Sequence, residues 1–137
     1  MRRALARAAI GALALTAAAG CGGSPGDLMS ISVSGGPGKV KQEIVIRADG
    51  QATCNGGPAE DIGSDNLIEA REIEREVGDI AKRGAVYEAR QKDALQLRNY
   101  ILRRDDGEVR WTETAKGLPE ILPRAQLLAL QLGRELC

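Results

Sequence analysis

The chain has 137 residues, 43% of them hydrophobic and only 2% aromatic, with 19 Lys and Arg against 19 Asp and Glu and no His. That length suits one small domain, and 28% charge at mid-range hydrophobicity excludes collagen-like, fully disordered and multi-span membrane chains. Without His there are no His-ligated metals, no Ser-His-Asp or Cys-His centres, and no histidine proton relay near neutral pH.

Arg2, Arg3 and Arg7 precede an apolar run from Ala8 to Ala19, twelve residues that are too few to span a bilayer as a helix. This is the pattern of a secretory signal peptide, so residues 1–20 are expected to be removed. The run closes in Ala17-Ala18-Ala19-Gly20-Cys21 and resembles the lipobox of bacterial lipoproteins. The resemblance implies that Cys21 becomes the lipidated first residue. The alternative is an ordinary secreted protein cut after Ala19.

Cysteine arithmetic favours the lipobox. Three cysteines in an oxidising compartment leave an odd thiol, and giving Cys21 to a thioether leaves Cys54 and Cys137 to pair. A palmitate-class diacylglyceryl anchor gains about 0.8 kcal/mol per buried methylene over two chains, enough for stable attachment to the outer face of the cell membrane. With Arg2, Arg3 and Arg7 gone, the mature chain carries 16 basic against 19 acidic residues. That balance creates no field for nucleic acid or anionic lipid.

Residues 21–27 are rich in Gly and read as a flexible tether, and residues 28–137 as a single domain. Met29–Val33 alternates as a strand, Ser34-Gly35-Gly36-Pro37-Gly38 interrupts it, and Val40–Ile46 is β-rich. Ala48-Asp49-Gly50 fits a three-residue hairpin loop, which pairs Arg47 with Gln51 and sets Ile46 opposite Ala52 and Ile44 opposite Cys54. Asn55-Gly56-Gly57-Pro58 opens a loop. A helix capped by Ser64, Asp65 or Asn66 runs to about Arg83, with Ala70, Ile73, Val77, Ile80 and Ala81 as its apolar stripe. Residues 85–94 show no clean period.

Residues 95–114 read as a second hairpin around Asp105-Asp106-Gly107. The same loop length would pair Arg104 with Glu108 and set Ile101 opposite Trp111, with Arg110 outward. Leu118-Pro119 opens the last element, and Pro123 marks the first turn of a helix. Its apolar arc holds Ala125, Ala129, Leu130, Leu132, Gly133, Leu136 and Cys137. The fold expected is α+β: an antiparallel sheet of four to five strands, two helices packed on one face, and one disulfide.

Catalytic signals are weak. Gly35-Gly36-Pro37-Gly38-Lys39 lacks the phosphate-loop pattern, because Val33 and Val40 stand where Gly and Ser or Thr should be. Glu72 with Glu76, and Asp105 with Asp106, read as solvated surface, and no calcium loop has the right spacing. No enzyme activity, cofactor or metal is expected. The order Ile31-Ser32-Val33-Ser34-Gly35-Gly36, Gly38, Asp49-Gly50, Tyr100, Trp111 and Leu118-Pro119 resembles the small emfourin-like proteins. That resemblance implies inhibition of a thermolysin-like metalloprotease, with Ser34, Gly35, Gly36 and Gly38 in the binding loop. Two expectations stand together: a non-catalytic protein-binding module on an anchored lipoprotein, or a structural or assembly lipoprotein of the cell envelope.

Overall fold

The computed structural model describes residues 26–90 and 96–137. The described residues form a mixed α+β domain with one seven-stranded sheet and three helices. The strands are β1 (Asp27–Gly35), β2 (Val40–Arg47), β3 (Gln51–Cys54), β4 (Glu60–Asp61), β5 (Val86–Tyr87), β6 (Arg98–Arg104) and β7 (Gly107–Thr112). Their order across the sheet is β4-β3-β2-β1-β6-β7-β5, with β1 in the centre. The helices are α1 (Gly63–Glu76), α2 (Gly78–Lys82) and α3 (Ile121–Leu136).

The period-two pattern explains the layering. Met29, Ile31 and Val33 of β1, Ile44 and Ile46 of β2, Tyr100 and Leu102 of β6, and Val109 and Trp111 of β7 are all buried. They form one core with Ala70 and Ile73 of α1, Val77 at the junction of α1 and α2, and Ala125, Ala129 and Leu132 of α3. The intervening residues, such as Ser30, Ser32, Val45, Ile101 and Arg110, are at least partly exposed, so the helices cover one face and leave the other open.

The first hairpin has the register its turn residues dictate: Ile44 pairs with Cys54 and Ile46 with Ala52. Gly50 supplies the positive φ of 88° that the three-residue loop needs. The second hairpin corrects the expected register. Arg104 pairs with Gly107 and Arg103 with Glu108, so the loop has only two residues, Asp105 and Asp106. Tyr100, not Ile101, lies opposite Trp111, and Leu102 opposite Val109. This register buries the two large side chains of β6 and leaves Ile101 on the open face. It also lets Gly107 press against the Ala81 backbone, where a Cβ would collide.

Three further corrections concern the elements themselves. The sheet exceeds five strands because β4 and β5 are two-residue edge strands, too short to carry a period, and β5 runs parallel to β7. The helix expected to reach Arg83 is broken at Val77, giving three helices rather than two. At the break Arg104 Nη1 donates to the Glu74 carbonyl at 3.0 Å and occupies the space that a side chain at Gly78 would need. No side chain caps α1 from Ser64, Asp65 or Asn66. Asp61 Oδ1 instead accepts from the Gly63 amide at 2.7 Å, while Asn66 Nδ2 donates back to the Ile62 carbonyl.

Pro123 lies in the first turn of α3, as its missing amide requires. The buried arc includes Leu128, while Leu130 and Leu136 are half-buried. Gly133 brings α3 close to β2, where a Cβ would lie 2.7 Å from Gln42 Oε1. Asp27 belongs to β1, and residues 21–25 of the expected tether lie outside the described residues, as does the signal segment. Among the described residues, no helix is long and apolar enough to cross a membrane.

Candidate functional site

Antiparallel pairing brings several strand ends to one pole. The end of β1 at Gly35 pairs with the start of β2 at Val40 and the start of β6 at Arg98, and β3 ends there at Cys54. α3 ends at the same pole because Cys137 is disulfide-bonded to Cys54, with Cα atoms 5.6 Å apart across a sequence separation of 83. The loop-entropy model gives such a closure roughly 4.5 kcal/mol.

Ser34 is exposed and pairs with Lys41 on one side and Asn99 on the other. Gly35, Gly36 and Gly38 all have positive φ, and the Lys39 amide closes the turn on the Gly36 carbonyl at 3.1 Å. At Gly36 a Cβ would also stand 2.9 Å from Arg98 Cγ. The turn therefore requires these glycines on its own account. Across β2, Asn55 Oδ1 accepts from the Glu43 amide at 2.8 Å and Asn55 Nδ2 donates to the Lys41 carbonyl at 3.5 Å. The two glycine-rich loops, Ser34–Gly38 and Asn55–Pro58, thus flank β2 at the same pole.

Between α3 and the sheet this pole holds an open cleft of about 490 Å³, lined by Gln42, Arg98, Leu130, Gly133, Arg134 and Cys137 among others. Arg98 is loosely held: its Nη1 is 3.8 Å from Glu113 Oε2, and its buried Nε has no hydrogen-bond partner. The Tyr100 hydroxyl behind it is also buried without an aligned partner. Burial pushes the Tyr100 phenol up to about 12, with Glu113 adding to the effect and Arg98 opposing it. Trp111 stacks on Tyr100 and donates from Nε1 to Gln126 Oε1 at 3.2 Å.

Glu72, Glu76 and Asp106 of the carboxylate pairs are ion-pair partners, while Asp105 is an exposed turn residue. Arg124 donates to Glu69 through Nε and Nη2 at 2.9 and 2.7 Å and to Glu72 through Nη2 at 2.7 Å, with Glu76 3.9 Å away. Those bonds raise the Arg124 pKa further and tie α1 to α3. Asp106 pairs with Lys82 and Arg104 at the β6–β7 turn. On the open face, Glu108 accepts from Arg110 Nε at 2.7 Å and Arg103 Nε at 3.0 Å, while Arg103 Nη1 donates to Ser32 Oγ. The Arg110 hydrogen bond comes first in holding the Glu108 carboxyl below its ordinary range.

Neither network follows from the periodicity of one element alone. The i, i+3 and i+7 spacing of Glu69, Glu72 and Glu76 was the available signal for a cation docking across α1. Among the described residues no cluster of three His, Cys, Asp or Glu is placed to hold a metal ion. Cys21, the expected lipidation site, lies outside the described residues. No protein-family model, curated protein or solved structure matches the chain.

Proposed function

We propose that this protein is a lipoprotein anchored through Cys21 to the outer face of a bacterial cell membrane, presenting a non-catalytic protein-binding domain. The observation that carries the reading is the Cys54–Cys137 disulfide, which consumes both remaining cysteines and suits an oxidising compartment. It agrees with a leader of three arginines, an apolar run and small residues running into Cys21. The binding role is supported by the pole where the Ser34–Gly38 and Asn55–Pro58 loops, the disulfide and an open cleft meet on a rigid sheet. The partner is an envelope or secreted protein. The emfourin-like resemblance makes a thermolysin-like metalloprotease the first candidate, through Ser34, Gly35, Gly36 and Gly38.

The experiment is membrane capture with the full-length protein beside a Cys21→Ala variant. The wild type should sediment with membranes and retain partners, while Cys21→Ala should be released. Alanine scanning of Ser34, Pro37 and Lys39 should then weaken partner capture without lowering thermal stability. A Cys21→Ala protein that remains membrane-bound contradicts the anchor. Capture that ignores the loop and requires Ile68 on α1 instead favours the structural or assembly lipoprotein. Ile68 is 56% exposed and is the large apolar side chain that stands out on that helix.

A further inference from the structure

If Cys21 carries the anchor, as proposed above, the length of chain between it and the fold restricts which part of the domain can meet the bilayer. Cys21 to Asp27 is six residue steps, which reach at most about 21 Å when fully extended. β1, the central strand, begins at Asp27 and has nine residues, so its far end at Gly35 lies about 27 Å from its start. The tether is shorter than the strand it leads into. The domain therefore cannot invert to place the Ser34–Gly38 pole on the bilayer beneath it.

The pole at the start of β1 is also built differently. The Ala48 amide donates to the Gly26 carbonyl at 3.1 Å, and Arg71 Nη2 donates to the Ala48 carbonyl at 3.1 Å. The β2–β3 turn and α1 are thus fastened to the point where the chain enters the fold. The β6–β7 turn joins them through Arg104, which bonds Glu74 of α1, and through Lys82, 3.7 Å from Asp106. The surface is rich in charge of both signs, with Arg75 of α1 74% exposed. Among the described residues, Val86 on edge strand β5, 53% exposed beside Arg110, is the one strongly exposed large apolar side chain of the open sheet face, and with Arg103, Glu108 and Arg110 around it that face forms no apolar patch to lie flat in a lipid interface.

We infer that the domain stands end-on at the membrane. The pole formed by the Arg47–Gly50 and Arg104–Gly107 turns with Arg71 of α1 meets the lipid headgroups. The pole holding Ser34–Gly38, the Cys54–Cys137 disulfide and the Arg98–Arg134 cleft points away, toward a partner outside the membrane.

The test uses full-length lipidated protein in vesicles of phosphatidylcholine and phosphatidylglycerol that contain a headgroup-labelled energy acceptor. A donor dye is placed on Asp105→Cys or Pro37→Cys, and non-reducing mass spectrometry verifies the native disulfide and the anchor. Because the two sites lie in turns at opposite ends of the long strands, energy transfer from position 105 should exceed that from position 37. Lengthening the tether with a Gly/Ser insertion of about twenty residues should narrow the difference. Equal transfer with the native tether means the sheet lies flat, and stronger transfer from position 37 means the domain is inverted. Either result overturns the inference while leaving the anchor intact. Protein without a diacylglyceryl mass overturns both the inference and the anchored reading.

Discussion

The rings of Tyr100 and Trp111 stack with centroids 5.2 Å apart and an interplanar angle of 12°. They are direct cross-strand partners, both are buried, and they hold β6 against β7 under the helices. Trp111→Ala should cost about 3–5 kcal/mol in denaturant unfolding, whereas Ile101→Ala on the open face should cost about 1 kcal/mol or less. If Ile101→Ala proved the more damaging, the observed hairpin register would be wrong.

That register shows what the chain states openly and what it conceals. Asp49-Gly50 and Asp106-Gly107 are the same dipeptide, yet the first closes a three-residue loop, whereas the second spans the end of a two-residue loop and the first residue of β7. Turn chemistry alone does not separate these cases. The side-chain pattern did contain the answer, since only the two-residue loop sets Tyr100 and Leu102 opposite Trp111 and Val109. Long strands and the apolar stripes of the helices were legible because their periods extend over many residues. β4 and β5 were not, because two residues carry no period, and the apolar stripe runs through the break at Val77 without a mark, while the Arg104 that bonds there comes from more than twenty positions away. The disulfide was legible from counting sulfurs. The charged networks around Arg124 and Glu108 depend on which helix and strand faces meet, which is a property of the tertiary arrangement.

Tyr100 predicts an alkaline limit to stability. Its phenol titrates at 10.0 when unfolded and near 12 when folded, so between these values the folded state holds a proton that the unfolded state has lost. The contribution of Tyr100 to stability is then intact below pH 10 and falls as pH rises toward 12. Tyr100→Phe should remove this part of the alkaline loss. It should not weaken the protein at neutral pH, because the hydroxyl it deletes is buried without an aligned hydrogen bond. Urea unfolding of both proteins across the alkaline range checks this; parallel pH profiles would contradict it.

Arg124 predicts a salt-sensitive loss. Arg124→Met keeps the unbranched stem of the side chain but leaves Glu69, Glu72 and Glu76 facing one another without their cation. The variant should unfold at a lower temperature than wild type at low ionic strength, and the difference should shrink as added salt screens the carboxylates. A salt-independent difference would show that Arg124 acts only by packing.

The disulfide predicts a redox-dependent stability. Replacing Cys54 and Cys137 together by Ser, or reducing the wild type, should remove about 2–5 kcal/mol in denaturant unfolding. The two treatments should agree, and reductant should not further affect the double variant. Equal stability of oxidised and reduced wild type would mean that the clamp between β3 and α3 contributes nothing.

Three sulfurs fix both the anchor and the clamp, and intact-mass and peptide mass spectrometry of the protein extracted from membranes reads all three at once. The expected spectrum has a mature chain beginning at Cys21 with a diacylglyceryl mass, and a non-reduced peptide joining Cys54 to Cys137. A chain beginning at Gly20 without lipid, or free thiols at both Cys54 and Cys137, would contradict it.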